Sequence, residues 1–318
     1  MSQPDAEIVV LGAGIAGLTA ARVLQDAGCN VLVVTERLGE ASTVPVALLN
    51  PVRGKRGTVV PEAEEALEAL WDFYPRFTEI HTGILRPVPA RDRDEWKGKL
   101  LERRLPHHWR EEGLYLENAG WLETNSLLSS LAEGLNIQRA KIVSLTGTEL
   151  RTDDGKGIFG RRIVYAGGAS GAYLVGLGGR FTPGSVLATK ERFEIAKSYG
   201  VYVAGNSLGG SYLPHSSTYV PHQTQDCEVE WLLGGGEKLL GYRPEVVSSE
   251  DQTSLFSLST AEIAPKLAPR VSSWAGVRYR LDKDYLKEIP GGFALTGFGS
   301  AAFFYAPLYA TRLLELLR

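Results

Sequence analysis

The residues best suited to chemistry are a run of glycines, Gly12-Ala13-Gly14-Ile15-Ala16-Gly17, directly after the apolar stretch Ile8-Val9-Val10-Leu11. In this spacing the first glycine permits a tight turn and the second lets the backbone approach a pyrophosphate. The third lets a following helix pack close to the strand. The unpaired N–H groups at the start of that helix offer partial positive charge to phosphate oxygens. Such a run carries this meaning only between a strand and a helix. Here a helix is expected from Ile15 to about Ala27, with Leu18, Ala21 and Leu24 facing inward and Gly28 as its stop. Val31-Leu32-Val33-Val34 supplies a second strand, so a whole βαβ unit is present and points to a dinucleotide.

Further residues extend this reading. An acidic residue at the end of the second strand, about 20 residues past the glycines, normally bonds the ribose hydroxyls. Thr35 and Glu36 both fall near that place, and because strand side chains alternate faces only one of them meets the ribose. Residues 38–60 form a loop in which Arg53, Lys55 and Arg56 stand among glycines. It is expected to lie over the cofactor with Arg53 or Lys55 facing an anion. Ile163-Val164-Tyr165-Ala166 runs into Gly167-Gly168, as if the chain returned to the first sheet. Phe293-Ala294-Leu295-Thr296 leads to Gly297 and Gly299, then to a helix expected over Tyr305–Leu317 with Pro307 in its first turn. This second strand–glycine–helix unit would aim another helix N-terminus at the cofactor.

Composition narrows the field. The chain has 318 residues, 44% of them apolar, enough for a large core in one domain or two interleaved ones. The formal charge of −3 gives no electrostatic case for nucleic acid as a general partner. No apolar run is long enough to span a membrane, and Met1-Ser2-Gln3-Pro4-Asp5 lacks the regions of a signal peptide, so a cytoplasmic protein is expected. Cys29 and Cys227 form no CxxC, and the five histidines show no ligand spacing, so no metal is expected.

The elements that must position these residues follow from periodicity. A helix is expected from Pro61 to about Phe77, with Leu67, Leu70, Phe73, Tyr74 and Phe77 as a core stripe. Residues 84–123 read as short strands and loops. Asn125 is placed to cap a helix over Ser126–Glu133. Ile142–Leu145 and Leu150–Thr152 flank turns, with a hairpin signal at Asp153-Asp154-Gly155. Residues 182–275 read as a mostly antiparallel sheet that includes Val186–Thr189, Tyr199–Val203 and Trp231–Leu233, and a short helix is expected over Ser259–Leu267.

Together these motifs resemble the D-amino-acid-oxidase superfamily of FAD-dependent oxidoreductases. The likeness is greatest to glycine/sarcosine oxidases and to the FAD domain of the bifunctional tRNA enzyme that oxidises carboxymethylaminomethyl-uridine. It runs in patches: Gly12–Gly28, Ser42–Pro51, Ile163–Gly168, Trp274–Arg278 and Gly297–Leu317. The resemblance implies an α/β fold, in which a doubly wound, Rossmann-like FAD-binding domain is interleaved with a β-rich antiparallel substrate domain. The expected boundaries are 1–80, 120–182 and 274–318 for the first, 81–119 and 183–273 for the second.

The resemblance also implies roles. Gly12, Gly14 and Gly17 would hold the FAD pyrophosphate. Thr35 stands where the family has its ribose glutamate, with Glu36 one place later. Ser42 matches a small hydroxyl residue that touches the phosphates. Ala47-Leu48-Leu49-Asn50-Pro51 is similar to the loop beside the isoalloxazine, with Ala47 where glycine is usual. Gly167 and Gly168 match a turn against FAD. Gly297-Phe298-Gly299-Ser300 is similar to the closing motif of the tRNA-enzyme branch, with Ala301-Ala302 in place of Arg-Gly. With Ala13, Ile15, Ala16, Arg37, Thr43 and Val143, these make up the expected site for non-covalent FAD.

Arg278 matches the arginine that binds a substrate carboxylate, with Tyr279 replacing the usual proline after it. Arg53 and Tyr212 complete the expected substrate site, Tyr212 (like His215 and Tyr219) only through its place in the substrate sheet. The implied activity is oxidation of an amine or amino acid by hydride transfer to the flavin, with oxygen as acceptor. Two readings compete: a dehydrogenase using another acceptor, and a flavin-binding partner protein without turnover. A tRNA substrate would need only a local basic patch around Arg53 and Arg56, but the overall charge gives it no support.

Overall fold

The computed structural model describes residues 4–101, 103–249 and 271–318. Its first strand, β1 (Ala6–Ala13), is the apolar run before the glycines. In chain order follow β2 (Val31–Leu38), β3 (Val46–Leu49), β4 (Val52–Arg53), β5 (Thr58–Val59), β6 (His81–Arg86), β7 (His107–Arg110), β8 (Gly113–Glu123) and β9 (Asn136–Arg139). The remaining strands are β10 (Ile142–Thr146), β11 (Glu149–Thr152), β12 (Gly157–Tyr165), β13 (Arg180–Tyr199), β14 (Val201–Gly210), β15 (Ser273–Arg280), β16 (Leu286–Ile289) and β17 (Gly292–Leu295). The helices are α1 (Ile15–Asp26), α2 (Ala63–Phe73), α3 (Arg93–Leu101), α4 (Thr124–Ala132), α5 (Asp226–Leu240) and α6 (Ala302–Leu317). Among the described residues no helix is long and apolar enough to cross a membrane.

The first sheet is parallel at its centre. β1 lies between β12 and β2, β9 adds to β2, and β17 adds to the other side of β12, all parallel. The hairpin β10–β11 extends it through antiparallel pairing with the start of β12. Both faces of this sheet are covered, which explains why β1 from Ile8 to Leu11 is continuously apolar rather than alternating. Ile8 and Val10 face the main core with Leu18, Ala21 and Leu24 of α1. Val9 and Leu11 face a second cluster with Leu150, Ile163 and Tyr165. The expected return of the chain at Ile163–Gly168 is therefore β12 and the turn after it.

The second sheet has the order β14-β13-β6-β8-β3, with β15 on β13 and β7 on β8. Every pairing in it is antiparallel except β13 with β6. The sheets divide the chain differently from the expected boundaries. β3, the far end of β8 and β15 fall within the ranges expected for the FAD-binding part, yet they pair within the second sheet. Strand-forming sequence identifies a strand but not its partner, which here lies far away in the chain.

Three local expectations are corrected. Trp231-Leu232-Leu233 is not a strand but lies in α5, whose buried residues Val229, Leu232, Leu233 and Gly236 recur at helical spacing. Gln225 and Glu228 form a capping box at its start. Asn125 does not cap α4; the helix begins at Thr124, whose hydroxyl donates to the Val44 carbonyl. Residues 84–123 also contain α3, with buried Trp96 and Leu100. The expected helix over Ser259–Leu267 lies outside the described residues.

Pro307 sits further inside α6 than its first turn, because the helix starts at Ala302. A proline there leaves the Phe303 carbonyl without its helical N–H donor. The hydroxyl of fully buried Tyr74 replaces it, donating to that carbonyl at 2.7 Å. Tyr74→Phe should therefore cost about 1–3 kcal/mol of stability, since it strands a buried acceptor. The cost should shrink in a Pro307→Ala background, where the helix supplies its own donor. Equal costs in the two backgrounds, measured by urea unfolding, would show that the hydroxyl is not substituting for the missing amide.

Candidate FAD and substrate site

A cavity of about 640 Å³ lies between the two sheets, within the range of ligand pockets, roughly 300–1,000 Å³. Its first end is made by the β1–α1 turn. Gly12 has φ +110°, and a β-carbon there would lie 2.5 Å from the Ala166 carbonyl oxygen. One on Gly17 would lie 1.9 Å from the Gly12 carbonyl oxygen. Gly17 therefore packs helix on strand, as expected, and does not itself line the cavity. Gly14 does, with Ala13, Ile15 and Ala16. The Ser42 hydroxyl accepts the Ile15 N–H at 3.0 Å, while the next N–H groups of the first turn have no intrahelical partner.

The end of β2 supplies Thr35, Glu36 and Arg37, all lining the cavity. The Thr35 hydroxyl is turned onto the Arg37 carbonyl at 2.6 Å, and Glu36 is exposed. Glu40 lines the same region, in a left-handed conformation with φ +40°. Its carboxylate accepts from Ser170 at 2.7 Å and from Tyr219 at 3.1 Å. Gly167 and Gly168 also line the cavity, and a β-carbon on Gly168 would meet only Glu40 Oε2, at 3.8 Å.

The opposite end is basic. It gathers Arg53 from β4, Arg278 from β15, and Gly297, Gly299, Ser300 and Ala302 at the start of α6, with Ala47 and Leu48 of β3. Arg53 donates to the Ser300 hydroxyl at 2.6 Å and to its carbonyl at 3.1 Å. Burial pushes the Arg53 guanidinium down to about 10; nearby Tyr305 opposes this and Arg278 adds to it. Burial likewise lowers Arg278, which donates to the Ser211 hydroxyl and, at 3.5 Å, to the Pro183 carbonyl. Burial pushes the Tyr202 phenol up to about 12, against the lowering influence of Arg278.

Besides Gly17, four expected residues do not line the cavity. Tyr212 is exposed, with its ring beside Trp231, while its neighbours Gly210 and Ser211 line the cavity. Val143 points to solvent, and Ala140, Lys141 and Ile142 form the wall instead. Thr43 braces the wall by accepting the indole N–H of Trp274 at 3.0 Å. Ala301 is buried behind Ser300 and Ala302. Asn50, in the expected isoalloxazine loop, lines the cavity; conversely, Arg86, Tyr202, Ser211, Trp274 and Glu40 line it although the sequence assigns them no role there. Only Arg86 carries a signal in the sequence, as an arginine between apolar neighbours in a strand.

The donors fit FAD: a helix N-terminus and open glycines where phosphates need close approach, and cationic groups at the far end. A family model described as FAD dependent oxidoreductase matches residues 7–316, and the chain belongs to that family. It binds FAD and is an oxidoreductase. The fold is similar to glycine oxidase from Bacillus cereus, 18% identical, with a TM-score of 0.75 over 98% of this chain and 95% of that one. It is also similar to L-proline dehydrogenase from P. horikoshii, 14% identical, with a TM-score of 0.73 over 99% and 94%. Thiamine thiazole synthase from Pyrobaculum calidifontis is 36% identical over 89 residues, which are 27% of this chain and 31% of that protein.

Gly14→Val should abolish FAD retention and leave a folded apo-protein, because the added side chain enters the phosphate space rather than the core. Gly17→Ala should instead lower stability, since it collides with backbone. Flavin fluorescence and circular dichroism separate the two; normal FAD binding by Gly14→Val would place the phosphates elsewhere. Among the described residues the cavity lining contains neither Cys nor His. Acid precipitation should accordingly release all FAD into the supernatant, and flavin remaining on the pellet would contradict a non-covalent site.

Proposed function

We propose that this protein oxidises the C–N bond of an amine bearing a carboxylate, an amino acid or N-substituted amino acid, with oxygen as electron acceptor. The observation that carries this reading is Arg278. It reaches the cavity end away from the phosphate-binding turn, and among the described residues no carboxylate pairs with it. Ser211, which lines the cavity, and the Pro183 carbonyl fix one nitrogen of the guanidinium, so that its remaining donors can meet a carboxylate in the planar two-pronged manner.

In the reaction the substrate C–H bond breaks with its electron pair, a proton leaves the nitrogen, and a C=N bond forms. Water then hydrolyses the imine to a carbonyl compound and a free amine. Bound FAD would supply the acceptor for this hydride, with oxygen as the final acceptor of the two electrons and two protons, giving hydrogen peroxide. The chain's own residues orient and enclose. Arg278 fixes the carboxylate and so the reacting carbon, Tyr202 remains a neutral phenol able to donate, and Trp274, Val186 and Leu48 exclude water. No protein nucleophile is required.

Arg278→Ala should raise the Michaelis constant for carboxylated amines by roughly 10- to 100-fold, corresponding to about 1.5–3 kcal/mol for a charged hydrogen bond. Amines without a carboxylate should change little. Arg278→Lys should recover part of the loss, since a point charge cannot reproduce the fork. Flavin bleaching without oxygen reads the reductive step whatever the acceptor, and oxygen consumption then tests the acceptor. If carboxylated and plain amines respond alike to Arg278→Ala, the arginine is structural.

A further inference from the structure

The basic end of the cavity holds more positive charge than one carboxylate accounts for. Arg53, Arg86 and Arg278 all border it, and none forms an ion pair with a carboxylate among the described residues. The acidic lining residues, Glu36 and Glu40, belong to the end formed by β2 and the loop after it. Arg86 is structural. Only 2% exposed, it donates to the carbonyls of Val52 and Gly54, either side of Arg53. Its guanidinium also lies 5.2 Å from the ring centre of Trp96. Arg86 is thus a clasp that holds the backbone of Arg53 in place.

Arg53 is then a cation set into the wall. Two of its nitrogens are tied to Ser300, and its Nε, like that of Arg86, is buried with no hydrogen-bond partner; unlike Arg86, which bridges the Val52 and Gly54 carbonyls, it is tied to this one residue. Burial is the main influence disfavouring its ionised form, with Arg278 and Arg280 adding to it and Tyr305 and Tyr285 opposing it, and no carboxylate among the described residues neutralises it. A cation kept under these conditions calls for an anion from outside the chain. Arg53 and Arg278 are anchored separately, one to Ser300 before α6 and the other to Ser211 after β14, which keeps them as two sites rather than one fork.

We propose that Arg53 receives a second anionic group of the substrate, so that the substrate class is an amino acid with an additional carboxylate. Arg278 takes the carboxylate next to the reacting carbon and Arg53 the distal one. This deepens the carboxylated-amine reading and rests on it. The electron and proton balance of the oxidation is unchanged.

The test is anaerobic flavin bleaching of the holoenzyme with substrate pairs that differ by one carboxylate: sarcosine against iminodiacetate, and alanine against aspartate in both configurations. The dicarboxylate of at least one pair should be favoured by about tenfold or more, and Arg53→Gln should collapse that ratio. Arg53→Lys should restore part of it. Succinate, which is not an amine, should perturb the flavin spectrum of the native protein at lower concentration than acetate, and Arg53→Gln should remove the difference. The proposal is overturned if monocarboxylates are favoured throughout. It is equally overturned if Arg53→Gln weakens both members of a pair alike, as a shared clamp or an effect on the flavin would. Bleaching by plain amines but by no carboxylated one would instead remove the underlying reading, and this proposal with it.

Discussion

The structure depends on one close approach. Where α1 crosses the end of β1, the backbone of Gly17 presses against the Gly12 carbonyl with no room for a β-carbon. On the other side of the same turn, Gly12 presses against Ala166 at the end of β12. These contacts set the height of the helix above the sheet and the position of its first N–H groups. They also bring Gly167 and Gly168 to the same cavity wall. A methyl group at either glycine would move the helix, the sheet or both, and every cofactor contact would move with them.

The βαβ unit was legible because its signals are local. Glycine spacing, inward-facing residues and a strand on each side all fall within about 30 residues. The second glycine turn before α6 was legible for the same reason. What sequence could not supply was partnership. β3 and β15 look like strands of either sheet, and only the long-range pairing of β15 with β13 shows where Arg278 hangs. Tyr212 illustrates the limit: sheet membership made it a candidate, but the chain leaves β14 at Gly210, and Tyr212 turns to solvent beside Trp231. Tyr202, on β14 itself, faces the cavity instead. α5 misled because Trp231-Leu232-Leu233 followed by three glycines resembles a strand and turn, whereas in the fold Gly235 and Gly236 let the helix settle against Val201 and Leu208.

The cavity is electrically polarised in a way that no single motif announces. At one end carboxylates and hydroxyls gather around Glu40; at the other, guanidiniums gather among hydroxyls, carbonyls and the Trp96 ring, with no carboxylate partner among the described residues. Arg86 shows how such an end is built. Because its two terminal nitrogens are spent on the Val52 and Gly54 carbonyls, it orients a neighbouring cation. Backbone acceptors can hold several like charges near one another without neutralising them, and this leaves their attraction for an anion undiminished.

The order in which the chain visits the cavity has a consequence for its synthesis. β1 and α1 come first, but β1 completes its pairing only with β12, and the far wall comes from β15 and from Gly297–Ala302. A chain growing from its N-terminus therefore carries an open half-cradle until the stretch up to α6 has emerged. Its phosphate turn, the earliest part made, waits for the latest. With FAD in this cavity, the full set of contacts would exist only once the chain up to residue 302 had folded, which would put cofactor capture late in folding rather than in its nucleus.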